Sequence, residues 1–194
     1  MSTEYWSPNT KVGVLVKNNQ INSLTEVLTN YSIIEPEIID HLEKDIIIKV
    51  VCTDRISHTL KSGKIYGFRV VVLVGKHGFI GCGVGKSTVK AQAIKKGVLE
   101  AKKSMLSLVS LEKTGLITPR LITQDKKGAT TVTITPLMGT SVTASKLGRS
   151  YCDLCGIKGI KIHTGNKKRE RKGKVASKLN YFTALHASLK GQII

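Results

Sequence analysis

The chain has 194 residues, enough for one large domain or two small ones, and its 41% hydrophobic content can fill ordinary cores. Lys and Arg number 31 against 13 Asp and Glu, a net charge of +18. An excess of that size repels itself in a compact state and is most easily understood with a polyanion against it, which argues against a merely soluble basic protein.

The charge is unevenly placed. Residues 1–50 carry four Lys/Arg against seven Asp/Glu, residues 51–125 carry thirteen against four, and residues 126–194 carry fourteen against two. The partner surface therefore belongs to the last three-quarters of the chain. Met1-Ser2-Thr3-Glu4 offers neither a basic nor an apolar leader region, so secretion is not expected. Apolar runs such as Val70-Val71-Val72-Leu73-Val74 fall far short of a membrane span, and no basic helix with a bulky aromatic face suggests a membrane surface. Four cysteines in a chain this long suggest no disulfide framework, which makes an intracellular location the expectation.

In chain order, residues 1–33 read as an N-terminal extension, with an anchoring turn at Tyr5-Trp6-Ser7-Pro8 and amphipathic stretches at Thr10–Lys17 and Leu24–Leu28. A first domain is expected over 34–110. It begins with a helix over Ile33–Leu42 that aligns Ile34, Ile38 and Leu42. Strands follow at Asp45–Thr53, Phe68–Val74 and Phe79–Val84, the last two joined by the turn Gly75-Lys76-His77-Gly78. Asp54–Gly67 reads as a polar, basic loop. A helix capped at Ser87 or Thr88 is predicted to run to about Leu108, with Ala91, Ile94, Val98, Ala101, Met105 and Leu108 on its apolar stripe. Lys95, Lys96, Lys102 and Lys103 lie off that stripe and are expected to face solvent or a ligand.

A linker is expected over 111–124, and a second domain over 125–194. In it Thr130–Pro136 reads as a strand, Ser145–Cys155 as a helix stopped by Gly156, and Ile157–Thr164 as a strand. Gly165–Gly173 is a basic loop. A last helix presents Val175, Leu179, Phe182, Leu185 and Leu189. The fold class predicted is α+β.

Three motifs invite chemistry. Gly81-Cys82-Gly83-Val84-Gly85-Lys86-Ser87-Thr88 ends like a P-loop, but the opening glycine should stand at position 80, where Ile80 is found, and the glycines also miss dinucleotide spacing. A bare strand that another backbone approaches closely is the better reading. Cys152-Asp153-Leu154-Cys155 is a single CxxC near the C-terminal end of its helix, where no dipole lowers a thiol pKa; Cys52 and Cys82 sit in the other module, so buried structural cysteine is expected and no metal. The five histidines, His41, His58, His77, His163 and His186, form no catalytic arrangement. No catalytic residue and no cofactor are expected.

What remains is geometry for phosphate: Arg55, His58, Lys61 and Lys64 in one loop, Lys86, Lys90, Lys95 and Lys102 in a helical rank, and Lys167, Lys168, Arg169, Arg171, Lys172 and Lys174 in the other loop. With only 5% aromatic residues, structured RNA recognised by shape is favoured over splayed bases.

Trp6-Ser7-Pro8-Asn9-Thr10-Lys11-Val12-Gly13-Val14-Leu15-Val16-Lys17, the segment Gly67–Lys86 ending in G-x-G-x-G-K, and the run from Gly139-Thr140 to Gly156-Ile157 occur in that order. Together they resemble universal small-subunit ribosomal protein five in its archaeal and eukaryotic form, from about Tyr5 to the last helix. The resemblance implies a first domain like a double-stranded-RNA-binding domain and a second with a left-handed βαβ unit. It implies a structural, non-enzymatic place in the small ribosomal subunit, bound to its rRNA near the messenger entry path, beside small-subunit proteins three and four, with an effect on decoding fidelity. By motif position Arg55–Lys64 corresponds to an rRNA-inserting loop, and Gly139 and Arg149 to the fidelity-affecting contact with protein four. The family's P-x-x-G-T-G stands here as Leu137-Met138-Gly139-Thr140-Ser141, without its second glycine. Cytoplasmic ribosomes are the expected location, with nucleolar assembly if the source is eukaryotic. The alternatives are a free double-stranded-RNA-binding protein and a P-loop nucleotide hydrolase.

Overall fold

The computed structural model describes residues 6–113, 116–165 and 178–192. Three short helices come first: α1 (Lys11–Lys17), α2 (Leu24–Asn30) and α3 (Glu37–Leu42). Thr10 caps α1 by accepting the Gly13 N–H at 3.1 Å. Glu35 reaches back to the same end, its Oε1 accepting the N–H groups of Asn9 (2.8 Å) and Thr10 (2.7 Å). A carboxylate at the positive end of α1 thus fastens the extension to the segment that follows. Helix α3 starts later than the periodicity predicts. Pro36 is its N-cap, and a residue before proline is kept out of the helical region, so Glu35 cannot be helical. Ile34 consequently lies outside the helix, 63% exposed, while Ile38 and Ile39 enter the core.

Strands β1 (Ile47–Leu60), β2 (Gly63–Lys76) and β3 (Phe79–Ser87) form an antiparallel meander, and helix α4 (Lys90–Lys103) leads to the short β4 (Leu106–Ser107). The sheet order is β1-β2-β3-β4. The run in β2 is continuously apolar because both its faces are covered. Val70, Val72 and Val74 join a core with α4 and the N-terminal helices; Val71 and Leu73 join a second core on the opposite side.

Helix α4 keeps most of its predicted stripe, with Ile94, Val98, Ala101 and Met105 on the core, but it is rotated toward its small residues. Its buried side is Ala93, Gly97 and Ala101, while Ala91 is exposed. The cause is the facing strand. A Cβ added at Gly81, Gly83 or Gly85 would stand 2.1 Å, 2.2 Å and 1.7 Å from main-chain atoms of α4. Three alternate glycines of β3 and the small residues of α4 let helix and strand backbones touch. No side chain caps α4: Val89 is its N-cap, and Ser87 Oγ bonds Gln92 Oε1 at 3.0 Å. The helix stops at Lys103, short of the predicted Leu108, which is buried beyond it.

The expected linker is partly structured. It holds a 3-10 turn at Val109–Leu111, the ladder of β5 (Glu112–Lys113) with β6 (Leu116–Ile117), and the start of β7 (Thr123–Lys127). The second sheet adds β8 (Thr130–Pro136), β9 (Val142–Thr143) and β10 (Ile160–Gly165), in the order β7-β8-β10-β9. β9 and β10 are parallel and are joined through α5 (Lys146–Cys155), which makes a βαβ unit. Ser145 caps α5 by accepting the Gly148 N–H at 3.3 Å, and Gly156 ends it at φ +75°. Helix α6 (Lys178–Lys190) lies on β7 and β8. The sequence reading found β8, α5, β10 and α6 but missed β7, whose Thr-Gln-Asp-Lys-Lys has no apolar alternation, and the two-residue β9.

The second core runs through both sheets, uniting Val71, Leu73 and Ile80 with Ile134, Tyr151, Ile160, Phe182 and Leu185. Polar contacts bind the same layers. Gly78 N–H donates to the Cys155 carbonyl at 3.1 Å, closing the C-terminal end of α5 against the β2–β3 turn. His186 Nε2 lies 2.7 Å from the Ser104 carbonyl and Nδ1 lies 3.0 Å from the Tyr151 hydroxyl. A carbonyl only accepts, so Nε2 carries the proton and Nδ1 accepts from Tyr151. Burial pulls the His186 pKa down to about 4, keeping the ring neutral. Gln192 holds the end of α6: its Oε1 accepts the N–H groups of Arg120 (3.1 Å) and Leu121 (3.0 Å), and its Nε2 donates to Leu121 O and Thr123 Oγ1.

Candidate nucleic-acid interface

The residues expected in a loop at Asp54–Gly67 stand instead on a paired ribbon. β1 and β2 stay in register to Leu60↔Gly63, so the turn is only Lys61-Ser62, and Gly63 takes φ +133°. Alternation within Arg55–Leu60 and Lys64–Tyr66 supports pairing, and polarity alone hides it. The last β2–β3 pair is Phe68↔Ser87. Five β1–β2 pairs, Ile56↔Gly67 to Leu60↔Gly63, therefore project beyond the sheet, a reach of about 17 Å at strand spacing.

Opposed residues of an antiparallel pair share a face. One face of the arm carries Arg55, Ser57, Thr59, Lys64 and Tyr66; the other carries Ile56, His58, Leu60 and Ile65. Between Arg55 and Tyr66 there is no acidic residue. Arg55, His58, Lys61 and Lys64 are all exposed. The Arg55 guanidinium lies over the Tyr66 ring, 4.1 Å from its centre.

At the base of the arm the register sets Asp54 beside Arg69 and Arg69 beside Lys86. Asp54 is met by Lys178, Nζ to Oδ1 at 3.7 Å. Arg69 is half-buried and its Nε has no hydrogen-bond partner among the described residues, whereas Lys86 is exposed. Lys90 and Lys95 are exposed on α4, as are Lys96 and Lys103. Lys102 does not share that exposure. It is 7% exposed, and its ammonium bonds both oxygens of Asp40 at 2.5 and 2.6 Å, because α3 packs beside this turn of α4. Its charge is spent inside the protein. Lys167, Lys168, Arg169, Arg171, Lys172 and Lys174 lie outside the described residues, as does Val175.

On the second sheet's side, Gly139 is exposed with φ +97°, and nothing stands within 4 Å of where its Cβ would be. Arg149 is exposed in the first turns of α5. Gly139 and Arg149 thus both face outward.

The other motifs are accounted for within the protein. Gly81, Gly83 and Gly85 are pressed on α4, so their backbone cannot wrap a phosphate. Cys152 and Cys155 are buried; desolvation pushes the Cys152 thiol up to about 12 and raises Cys155 well above the usual range, and Cys155 Sγ donates to the Tyr151 carbonyl at 3.1 Å. Cys82 is likewise pushed up to about 12 by burial. Thiols so placed are poor thiolate nucleophiles and ligands. Among the described residues no three His, Cys, Asp or Glu converge as a metal site, and no helix is long and apolar enough to cross a membrane.

Sequence reading missed the Arg55–Tyr66 pair and the charge row at Arg69. Period-two alternation from Arg55 onward was the available signal.

Comparison with known proteins adds an independent line. Residues 46–108 match the family described as Ribosomal protein S5, N-terminal domain, a span that holds the whole arm and α4. Over 173 residues the chain is 32% identical to small ribosomal subunit protein uS5 of Methanocaldococcus jannaschii, covering 84% of this chain and 80% of that protein. It is 31% identical over 196 residues to the protein of the same name from Methanothermobacter thermautotrophicus, covering 96% and 88%. With that of Pyrobaculum arsenaticum it shares 29% over 194 residues, covering 95% and 93%.

Proposed function

The chain belongs to the small ribosomal subunit protein uS5 family, and from that premise we propose that it holds ribosomal RNA through the β1–β2 arm, as a structural and non-catalytic constituent of the small subunit. The observation that carries this reading is the arm itself: about 17 Å of projecting ribbon bearing His58, Lys61 and Lys64, with Arg55 at its base, and no acid between Arg55 and Tyr66. Lys86, Lys90 and Lys95 extend the basic surface from the base of the arm, and Lys167, Lys168, Arg169, Arg171, Lys172 and Lys174 add a second phosphate-binding run. Lys102 is not part of it.

The order α3-β1-β2-β3-α4 supports a first domain over 34–110 of the double-stranded-RNA-binding kind, and the parallel β9-α5-β10 unit supports a second domain over 125–194 built on a βαβ unit, its left-handed crossover being carried over from the family resemblance alone. Gly139 and Arg149, both exposed, form the contact with small-subunit protein four. On this reading, which rests on the family resemblance, protein three is the other neighbour, the chain lies near the messenger entry path of cytoplasmic ribosomes, and it influences decoding fidelity. In a eukaryotic cell assembly begins in the nucleolus.

Replacing Ser57–Tyr66 by a two-residue Asn-Gly turn tests the reading. The full-length protein should comigrate with small subunits at moderate salt, and the shortened one should enter them poorly while unfolding at nearly the same temperature. Normal incorporation and normal translational accuracy with the shortened arm would refute it. Binding to duplex RNA without comigration would instead describe a free double-stranded-RNA-binding protein.

A further inference from the structure

We propose that Tyr66 is a stacking site for one unpaired nucleobase, so that the arm recognises a bulged or looped-out nucleotide in addition to duplex phosphates. This rests on the reading of the arm as an RNA contact and adds a chemical class of ligand to it.

Tyr66 is 49% exposed although it sits in a regular strand pair. It has no core behind it, because the ribbon at this point has left the third strand. Its direct neighbour across the ribbon is Ser57, too small to cover a ring. Arg55 lies over the ring at 4.1 Å. A guanidinium there holds the ring orientation and leaves aromatic surface open to a second planar group. Lys64 shares the face, two residues nearer the tip, where it can meet the phosphate beside a stacked base. The hydroxyls of Ser57 and Thr59 complete a face with no negative group, suited to a polyanion.

A blunt A-form duplex offers no free base plane at that position. An unpaired nucleotide does, and proteins that read sequence in RNA commonly take such bases on aromatic rings and guanidinium planes. The scarcity of aromatic residues makes the placement of this one more telling. Trp6 is tied up at the N-terminal segment near His41, Tyr151, Tyr181 and Phe182 are buried, and the other exposed tyrosine among the described residues, Tyr31, stands at the end of α2 and not on the basic arm.

The test uses the full chain and three probes: a blunt 16-base-pair RNA duplex, the same duplex with one bulged adenosine, and one with an abasic bulge. Wild type and Tyr66→Phe should bind the adenosine bulge more tightly than the other two. Tyr66→Ile keeps strand propensity but has no ring, and should lose about 5- to 150-fold on the adenosine bulge alone, with the salt dependence unchanged. In Tyr66→Trp, the adenosine bulge should quench emission and the abasic bulge should not. Equal affinity for adenosine and abasic bulges, or an equal loss on all three probes, overturns the stacking proposal and leaves the arm as a phosphate contact. Failure to bind any of the three overturns both readings.

Discussion

Gly83→Ala is the sharpest probe of how this fold is closed. A methyl group at Gly83 would stand 2.2 Å from both the Gly97 carbonyl oxygen and the Ala101 nitrogen, and 2.8 Å from Ala101 Cα. Ordinary contact begins near 3.4 Å, so α4 would have to retreat by about 1 Å. The obstacles are main-chain atoms inside a helix and cannot rotate aside. The retreat would also loosen α4 from Val70 and Val72, which line the same core. Overpacking by one methylene costs about 1–3 kcal/mol when side chains can yield; here about 3 kcal/mol or more is expected. For a chain of this length each kcal/mol lowers the melting temperature by about 2–4 °C, so a drop of about 6–12 °C should appear in thermal denaturation followed by circular dichroism. Gly67→Ala is the control. Its added Cβ would rest 3.4 Å from the Ser87 oxygen, ordinary contact, and the melting temperature should move by no more than about 2 °C. A melting temperature for Gly83→Ala as close to wild type as the control's would refute the backbone-contact account of the glycine strand.

Other predictions follow from the site and its supports. His186 titrates near 4 in the folded chain against 6.5 when unfolded, so between those pH values the unfolded state binds more protons and stability falls as pH is lowered. Denaturant titrations at pH 7 and pH 4 should show about 3 kcal/mol of this loss in wild type and less in His186→Gln; equal losses would count against a buried neutral imidazole. Lys102→Met should leave the salt dependence of RNA binding unchanged, since Asp40 already holds that ammonium, whereas Lys64→Ala should flatten the log–log slope by about 0.7–0.9. A slope change with Lys102→Met would return that lysine to the RNA surface. Mutating Lys167, Lys168, Arg169 and Arg171 together to Ala should flatten the slope by about 3–4 if all four meet phosphate, and an unchanged slope would show a segment that avoids RNA. Arg149→Glu should alter codon misreading at unchanged melting temperature, and unaltered readthrough in cells carrying only that variant would exclude the fidelity contact.

The elements with strong local signatures were legible in the sequence. Ser145 and Gly156 marked both ends of α5, and the β-branched run at Val70–Val74 marked the central strand. What escaped depended on partners distant in sequence. The glycines of β3 draw Ala93 and Gly97 of α4 into the contact, which its apolar periodicity did not mark, while Ile94, Val98, Ala101 and Met105 of the predicted stripe do pack on the core and Ala91 does not. Lys102 read as a free cation because Asp40, 62 residues earlier, was out of view. The basic residues of the arm stood out in the sequence, but the arm itself passed for a loop: its polar side chains obscured the pairing that sets Arg55 over Tyr66.

The two-sided burial of β2 has a consequence for the nascent chain. Once residues through α4 have emerged, one side of the first sheet can be covered, since Val70, Val72 and Val74 pack on α4 and the helices before it. The opposite side, with Val71, Leu73 and Ile80, waits for Tyr151, Phe182 and Leu185. At about 5–20 residues per second, the stretch from the end of α4 to Leu185 takes roughly 4–16 seconds to synthesise. Through that interval a half-finished sheet shows a bare aliphatic surface under a strongly basic chain. That surface is closed only when α5 and α6 dock, so folding of the first sheet is completed by the last helix of the chain.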